Sequence, residues 1–118
     1  MNVYGSALSS GAGGIDYSTS EQDTGLKWTD GKKLYQRTYT GTLGTGATTT
    51  IASVSSYNIK SIQGVYYSSS GLHANPALTV ANNTVYYALA YVTSGGQLTV
   101  ETNALYSNTY NLTITYTK

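Results

Sequence analysis

Residues 17–39 read YSTSEQDTGLKWTDGKKLYQRTY, and this stretch predicts a β-hairpin. Asp30 and Gly31 form a dipeptide that favours a tight turn, because Gly adopts positive φ without steric cost and the short Asp side chain bonds nearby backbone. Residues typical of strands flank the turn on both sides. An antiparallel pair of strands is therefore the first element that the chain predicts.

The register of this hairpin depends on the length of its loop. A two-residue loop would pair Leu26 with Tyr35, whereas a three-residue loop with a Gly bulge would pair Trp28 with Leu34. We favour the two-residue loop, because it gathers the larger apolar side chains on one face. That face would hold Leu26, Trp28, Tyr35 and Tyr39, and the other would hold Lys27, Thr29, Lys32 and Gln36. Trp28 is accordingly predicted to be a core residue.

The composition predicts one all-β domain. The chain has 118 residues, enough for a single core. Its aromatic residues are thirteen Tyr and one Trp, with no Phe, and it is rich in Thr and Ser. Thirteen Gly and one Pro fit many turns, and no cluster of helix formers has helical spacing. Residues 1–16, rich in Gly and Ser, are expected to be a flexible lead-in rather than an ordered strand at residues 2–8, and residues 17–118 a single β-sandwich head domain.

After the hairpin, turn signals divide the chain into further short strands. Strands are predicted at residues 47–54, 57–68, 78–81, 84–93, 97–101 and 110–117, with a loop at 69–76. Gly64 predicts a bulge or a close approach between strands, as does the broken alternation between Ile59 and Ile62. Asn82 and Asn83 predict a turn. Seven or eight short strands indicate an antiparallel β-sandwich, with a jelly-roll arrangement as one option.

Two strands carry the strongest patterns. The strand at residues 84–93 is apolar on both faces, so it is either central in a sandwich or pressed against a neighbouring subunit. The closing strand alternates cleanly, and its inward residues are predicted to be Tyr110, Leu112, Ile114 and Tyr116. Leu98 and Val100 are predicted to point inward from the strand before it.

Charge and cysteine content exclude several classes of function. Six Lys and Arg against five Asp and Glu give a net charge of +1 without a basic stripe, so nucleic acid is not an expected partner. The basic residues nearest to one another are expected to lie on the solvated edges of the hairpin. They are Lys27, Lys32, Lys33 and Arg37. Without Cys, neither disulfides nor thiolate metal sites are expected. No apolar run predicts a signal peptide or membrane insertion.

The residues favour binding over catalysis. Glycan hydrolysis needs two carboxylates across a bond, and no pair among Asp16, Glu21, Asp23, Asp30 and Glu101 has a pattern that predicts this. A lone His and the absence of a nucleophile motif give no support to metal or triad chemistry, so the chain is expected not to be an enzyme and to have no cofactor. Loops on a rigid β scaffold are better suited to binding sugars. The candidate binding residues near two such loops are Tyr66, Tyr67, His73, Asn75, Tyr106 and Asn108.

Two segments carry a resemblance to a known family. The pattern YST, an acidic residue, then G, K, W, D, G, K and finally L, Y, a polar residue and R spans Tyr17 to Arg37, and the chain closes in NLTITYTK at residues 111–118. Both resemble segments of the carboxy-terminal domains of tailed-bacteriophage tail-fibre and receptor-binding proteins. The resemblance covers about a third of the chain, and one departure is Lys33, where the family often has Pro.

The resemblance implies a function and a set of partners. It implies the tip of a phage tail fibre that attaches without catalysis to a bacterial surface structure, with polysaccharide as the expected receptor. A homotrimer is implied, together with attachment to the fibre shaft or tail proteins through the lead-in. The implied location is the virion, after synthesis in the host cytoplasm without a signal peptide. Two alternatives stay open: a structural virion or fibre-assembly module without its own receptor, and a small carbohydrate-binding module.

Overall fold

The structure is a computed structural model that describes residues 16–43, 48–68, 71–103 and 109–118. These residues form nine strands, one or two more than predicted, and within the described ranges there is no helix that could cross a bilayer. The strands are β1 (Gln22–Lys27), β2 (Lys33–Thr42), β3 (Thr48–Ser53), β4 (Asn58–Ser68), β5 (Gly71–Ala74), β6 (Ala77–Ala81), β7 (Thr84–Val92), β8 (Gln97–Thr102) and β9 (Thr109–Thr117). The predicted lead-in at residues 1–16 lies outside the described residues, apart from Asp16.

The strands form two antiparallel sheets that pack face to face, which confirms the predicted β-sandwich. One sheet has five strands in the order β1-β2-β9-β4-β5, and the other has four in the order β3-β8-β7-β6. The chain changes sheets after β2, β3, β5 and β8. Between the last two of these crossings, β6, β7 and β8 form a meander of neighbouring antiparallel strands.

The core lies between the inner faces of the two sheets. The five-stranded sheet contributes five buried side chains, which are Tyr66, Tyr110, Leu112, Ile114 and Tyr116. The four-stranded sheet contributes Ala77, Ala88, Ala90, Leu98 and Val100. These positions confirm the predicted inward residues of β8 and β9. Large side chains on one sheet thus pack against smaller ones on β6 and β7, so that the two layers interdigitate.

Strand β9 is central, because it pairs with β2 on one side and with β4 on the other. Gly64 in β4 has φ +156° and lies so close to β9 that an added Cβ would overlap the carbonyl oxygen of Asn111. The pairing also shifts register between Ile59 and Ser61. The close approach at Gly64 and the irregularity after Ile59 are therefore confirmed.

The predicted hairpin is present, but its favoured register is wrong. The Trp28 N–H donates to the Lys32 carbonyl at 2.9 Å, and the Gly31 N–H donates to the Trp28 carbonyl at 2.9 Å. The loop therefore spans residues 29–31, and Gly31 has φ +86°. A type I turn followed by a Gly in the left-handed region is a common three-residue hairpin loop. This loop starts one residue earlier than the three-residue alternative, so Trp28 faces Lys32 and not Leu34.

The altered register changes which hairpin residues are buried. Tyr35 pairs with Asp23 rather than with Leu26, because β1 contains a further irregularity. Tyr35 packs against the core as predicted, but Leu26 is 63% exposed. Trp28 is 39% exposed, so its prediction as a core residue is wrong, and Lys60 Nζ lies 5.1 Å from the centre of its ring. The half-exposed Trp ring therefore makes a cation–π contact with Lys60.

The prediction of a loop at residues 69–76 is wrong for residues 71–74, which form strand β5. Strand β5 pairs with β4, with His73 opposite Tyr66 and Leu72 opposite Tyr67. The edge of β4 offers free backbone donors and acceptors, and the short segment satisfies them. The turn predicted between β6 and β7 is confirmed, since Asn82 and Asn83 have φ values of 52° and 60°.

Candidate functional site

Two of the predicted binding residues hold the sandwich together. Tyr66 is fully buried, and its hydroxyl donates to Asn75 Oδ1 at 2.5 Å. The same oxygen accepts from the Ala90 N–H at 3.1 Å, so Asn75 links β4 to β7 across the two sheets. Burial raises the pKa of the Tyr66 hydroxyl, which stays a neutral donor. Tyr66 therefore offers no surface to a ligand, and the acceptor of Asn75 already receives two hydrogen bonds.

The other predicted residues are spread over different surfaces. Tyr67 is 40% exposed on the outer face of the five-stranded sheet, where Asn111 Nδ2 donates to its hydroxyl at 3.4 Å. His73 is partly buried on β5, opposite Tyr66. Tyr106 and Asn108 lie outside the described residues. Of the four predicted residues that the structure describes, Tyr67 is the one that reaches the outer face described next.

The outer face of the five-stranded sheet is polar. Thr38 and Thr40 of β2 lie beside Thr113 and Asn111 of β9, and Val65 of β4 lies beside Asn111 on the other side. The hydroxyls of Thr38 and Thr113 form a hydrogen bond of 2.8 Å. Cross-strand Thr pairs of this kind stabilise an antiparallel sheet, and the lone pairs that they do not use can still accept hydrogen bonds at the surface.

An open groove of about 440 Å³ runs over this polar face. We call it the threonine groove, and its lining consists of Tyr17, Thr19, Thr38, Thr40, Gly64, Val65, Asn111 and Thr113. Its volume lies within the range of roughly 300–1,000 Å³ that is usual for small-molecule sites. The floor is formed by β2, β9 and β4, and the remaining wall comes from the segment that precedes β1.

The segment before β1 is fastened to the sheet by backbone contacts. The Thr38 N–H donates to the Ser18 carbonyl at 2.8 Å, and Arg37 Nε donates to the Thr19 carbonyl at 2.8 Å. Tyr17 directly precedes Ser18 and Thr19 and is 80% exposed. The ring is therefore held beside the groove while almost its whole surface remains open to solvent.

The described lining of the groove consists of uncharged residues. None of its eight lining residues is Asp, Glu, His, Lys or Arg, so the groove carries no formal charge of its own. Among the described residues, no group of three or more His, Cys, Asp or Glu forms a metal site. What the groove offers is hydroxyl and amide groups that both donate and accept, an aliphatic side chain and an aromatic ring.

The two segments that resemble the phage family meet in a charged cluster. The Tyr116 hydroxyl donates to Glu21 Oε1 at 2.5 Å, and Lys118 Nζ donates to Glu21 Oε2 at 2.8 Å. The hydrogen bonds from Lys118 and Tyr116 lower the pKa of the Glu21 carboxyl. Burial, together with the bond to Glu21, raises the pKa of the Tyr116 hydroxyl. This cluster ties the segment before β1 to the end of β9.

The outer face of the four-stranded sheet has the opposite character. We call it the apolar face, and its exposed side chains are Leu78 (70%), Val80 (66%), Val85 (51%) and Leu89 (42%). Beside them, the hydroxyls of Tyr87 and Tyr91 donate to Glu101 at 2.8 Å and 3.3 Å. The strand predicted to be apolar on both faces is β7, which lies centrally between β6 and β8 and leaves one apolar face exposed.

Comparison of the chain with protein-family models, with curated proteins and with solved structures finds no match. The chemistry of the surfaces described above is therefore the basis for the function proposed below.

Sequence reasoning missed most of the groove. The alternation of β9 predicts that Asn111 and Thr113 face outward, but nothing in their own segment shows which strand lies beside them. Thr38 and Thr40 are more than seventy positions away along the chain, and Tyr17 more than ninety. The available signal was the matching alternation of Thr in β2 and β9, which would have placed their polar faces on the same side if the pairing had been known.

Proposed function

We propose that this chain is the distal head of a tailed-phage tail fibre or related receptor-binding protein, which attaches without catalysis to a glycan on a bacterial surface. The proposal includes a homotrimer, joined to the fibre shaft or to tail proteins and located at the tip of the virion tail. It is supported by the two family-like segments, which pack together through the pairing of β2 with β9 and through Glu21, Tyr116 and Lys118.

The observation that carries the binding part of the proposal is the threonine groove. Sugars present hydroxyls to polar side chains and C–H faces to aromatic rings, and the groove supplies Thr and Asn groups next to the exposed Tyr17 ring. None of the described residues that line the groove carries a carboxylate or an imidazole, so they supply no general acid or base to cleave a glycosidic bond. Binding without cleavage is the activity that these residues support.

The test is adsorption of the labelled chain to a panel of bacterial strains. We expect saturable binding to cells of at least one strain, competition by polysaccharide purified from that strain, and no release of reducing ends from it. The same chain, heat-unfolded, is the control for non-specific adhesion. Release of reducing ends would contradict the non-catalytic reading, and adsorption to none of the strains would count against attachment itself.

A structural module of the virion is a second candidate, and the apolar face favours it. Monomeric soluble proteins rarely expose large contiguous apolar patches, so a surface that includes Leu78, Val80 and Val85 fits assembly with other protein subunits. Such a module would assemble but would adsorb to no strain. A monomer that still bound a polysaccharide would instead be a small carbohydrate-binding module.

A further inference from the structure

We infer that the threonine groove binds an uncharged stretch of glycan chain, with one sugar ring stacked on Tyr17 and its hydroxyls contacted by Thr40 and Asn111. This inference rests on the proposed function and adds to it the site and the class of ligand. The alternative for a fibre tip is an anionic polymer, such as one built from uronic acids or carrying phosphate.

The preference for an uncharged ligand follows from the lining. An anionic ligand that loses water in the groove would need a cation or several N–H donors to compensate for the lost hydration. None of the eight lining residues is a Lys or an Arg. The nearby Arg37 pairs with the buried Ile114 and so lies on the opposite face of β2 from Thr38 and Thr40. Its Nε donates to the Thr19 carbonyl at 2.8 Å, and its guanidinium lies 5.0 Å from the centre of the Tyr39 ring.

The floor is pre-organised for hydroxyl groups. Thr38 is 9% exposed, and its bond to Thr113 fixes both hydroxyls in place. Each Thr oxygen has one proton and two lone pairs, so a bonded pair still has lone pairs that can accept from a ligand hydroxyl. Thr40 lies one outward position further along β2, beside Asn111, and its side chain is exposed. A row of hydroxyl and amide groups therefore follows β2 and β9 along the groove.

The ring of Tyr17 supplies the other half of sugar recognition. A ring that is 80% exposed has a large apolar surface in water, and covering it with the C–H face of a sugar is favourable. The bonds from Thr38 and Arg37 to residues 18 and 19 restrict the segment before a ligand arrives, which reduces the entropy lost on binding. Tyr67 is 40% exposed on the same outer face and lies outside the groove lining, on the other side of Asn111.

The test compares two groove variants with two matched controls. Tyr17→Ala removes the ring, and Thr40→Val removes one hydroxyl with little change of shape. Leu26→Ala and Thr48→Val make similar changes at exposed positions outside the groove and outside the apolar face. All four positions are exposed, so we expect each variant to unfold at nearly the wild-type temperature.

Binding is measured on cells that adsorb the wild-type chain, and on an array holding neutral, uronic-acid-containing and phosphate-containing bacterial polysaccharides. We expect Tyr17→Ala and Thr40→Val each to weaken binding about fivefold or more, and both controls to bind like the wild type. Wild-type binding should be confined to neutral polysaccharides. It should also change little between about 0.05 and 0.5 M salt, because screening acts on charges.

The outcomes separate the inference from the function on which it rests. Cell adsorption that both groove variants retain at full strength would overturn the groove as the site and leave attachment standing. Preference for the anionic polysaccharides, or binding that salt abolishes, would overturn the uncharged class. Adsorption that is lost when the cells are treated with protease would point to a protein receptor and overturn the glycan. A wild-type chain that adsorbs to no strain and no array polysaccharide would contradict both proposals.

Discussion

Gly64 is the residue on which the spacing of the central strands depends. Its φ of +156° is rare for residues with a side chain, and an added Cβ would overlap the Asn111 carbonyl oxygen and lie 2.9 Å from Leu112 Cα. These are backbone atoms of β9, which cannot rotate away as a side chain could. We expect Gly64→Ala to lower the free energy of unfolding by about 2–3 kcal/mol, measured by urea denaturation.

The matched control for that substitution is Gly95→Ala. Gly95 lies in the turn before β8, and the nearest atom to an added Cβ is Thr93 Oγ1 at 3.8 Å, an ordinary contact. We expect this variant to stay within about 0.5 kcal/mol of the wild type. Equal effects of the two substitutions would show that the close approach of β4 to β9 does not constrain position 64.

Trp28 shows how far residue-level reasoning from the sequence reaches. A lone Trp beside apolar alternation predicts a core ring, and the Asp30 and Gly31 dipeptide predicts the turn, which the structure has. The prediction failed because Gly31 occupies the left-handed position of a three-residue loop, which moves the pairing. The Asp-Gly dipeptide identifies such a turn. The register of the two strands, and therefore which face of the hairpin is buried, depends on the length of the loop.

At the scale of elements, the cluster of Glu21, Tyr116 and Lys118 connects the segment before β1 to the end of β9. Its hydrogen bonds lower the pKa of Glu21 below the ordinary carboxyl value of 4.5. Because the folded-state pKa is the lower one, ionised Glu21 stabilises the fold above about pH 4.5. That contribution is lost as the pH falls through the folded-state pKa.

We therefore expect Glu21→Gln to be less stable than the wild type at pH 7, by about 0.5–1 kcal/mol, because it loses the ion pair with the partly exposed Lys118. The difference should shrink towards zero as the pH is lowered from about 4.5 through the folded-state pKa of the carboxyl, where the wild-type side chain becomes protonated. Urea denaturation at several pH values measures it. A difference that does not change with pH would contradict the linkage.

Glu21→Ala provides the comparison that isolates the hydrogen bond from the charge. Tyr116 is fully buried, and Glu21→Ala removes the carboxylate that accepts from its hydroxyl. We expect this variant to be about 1–3 kcal/mol less stable than Glu21→Gln at every pH, because Glu21→Gln keeps an oxygen for the Tyr116 hydroxyl. Equal stability of the two variants would show that the hydroxyl finds another partner.

The elements differ in how well their own residues predict them. The four inward residues of β9 are apolar and its outward residues are Asn and Thr, so the alternation alone predicted both the strand and its buried face. Strand β5 is four residues long and reads GLHA, with no such pattern, and it exists because the edge of β4 pairs with it. Short edge strands of this kind are determined by their neighbours, which a sequence does not reveal.

At the scale of the whole molecule, the two outer faces have opposite chemistry. The five-stranded sheet presents Thr, Asn and the Tyr17 ring, whereas the four-stranded sheet presents Leu and Val. In the proposed trimer, the apolar face would be covered by neighbouring subunits, and the threonine groove would stay open to the receptor. Each single groove would bind weakly, and three on one tip would give a much higher effective affinity.

The assembly is tested by light scattering coupled to size exclusion of the wild-type chain and two charge variants. We expect a trimer for the wild type and a monomer for Val80→Asp, because a carboxylate buried without a partner at a subunit contact is costly. Val80 is 66% exposed in the single chain, so its substitution should change the unfolding free energy of the monomer by no more than about 0.5 kcal/mol.

Leu26→Asp is the matched control, since Leu26 is 63% exposed on the hairpin of the other sheet, and this variant should remain a trimer. A monomeric wild type at micromolar concentration would contradict the proposed assembly. A trimer that survives Val80→Asp but not Leu26→Asp would move the subunit contact from the apolar face to the hairpin.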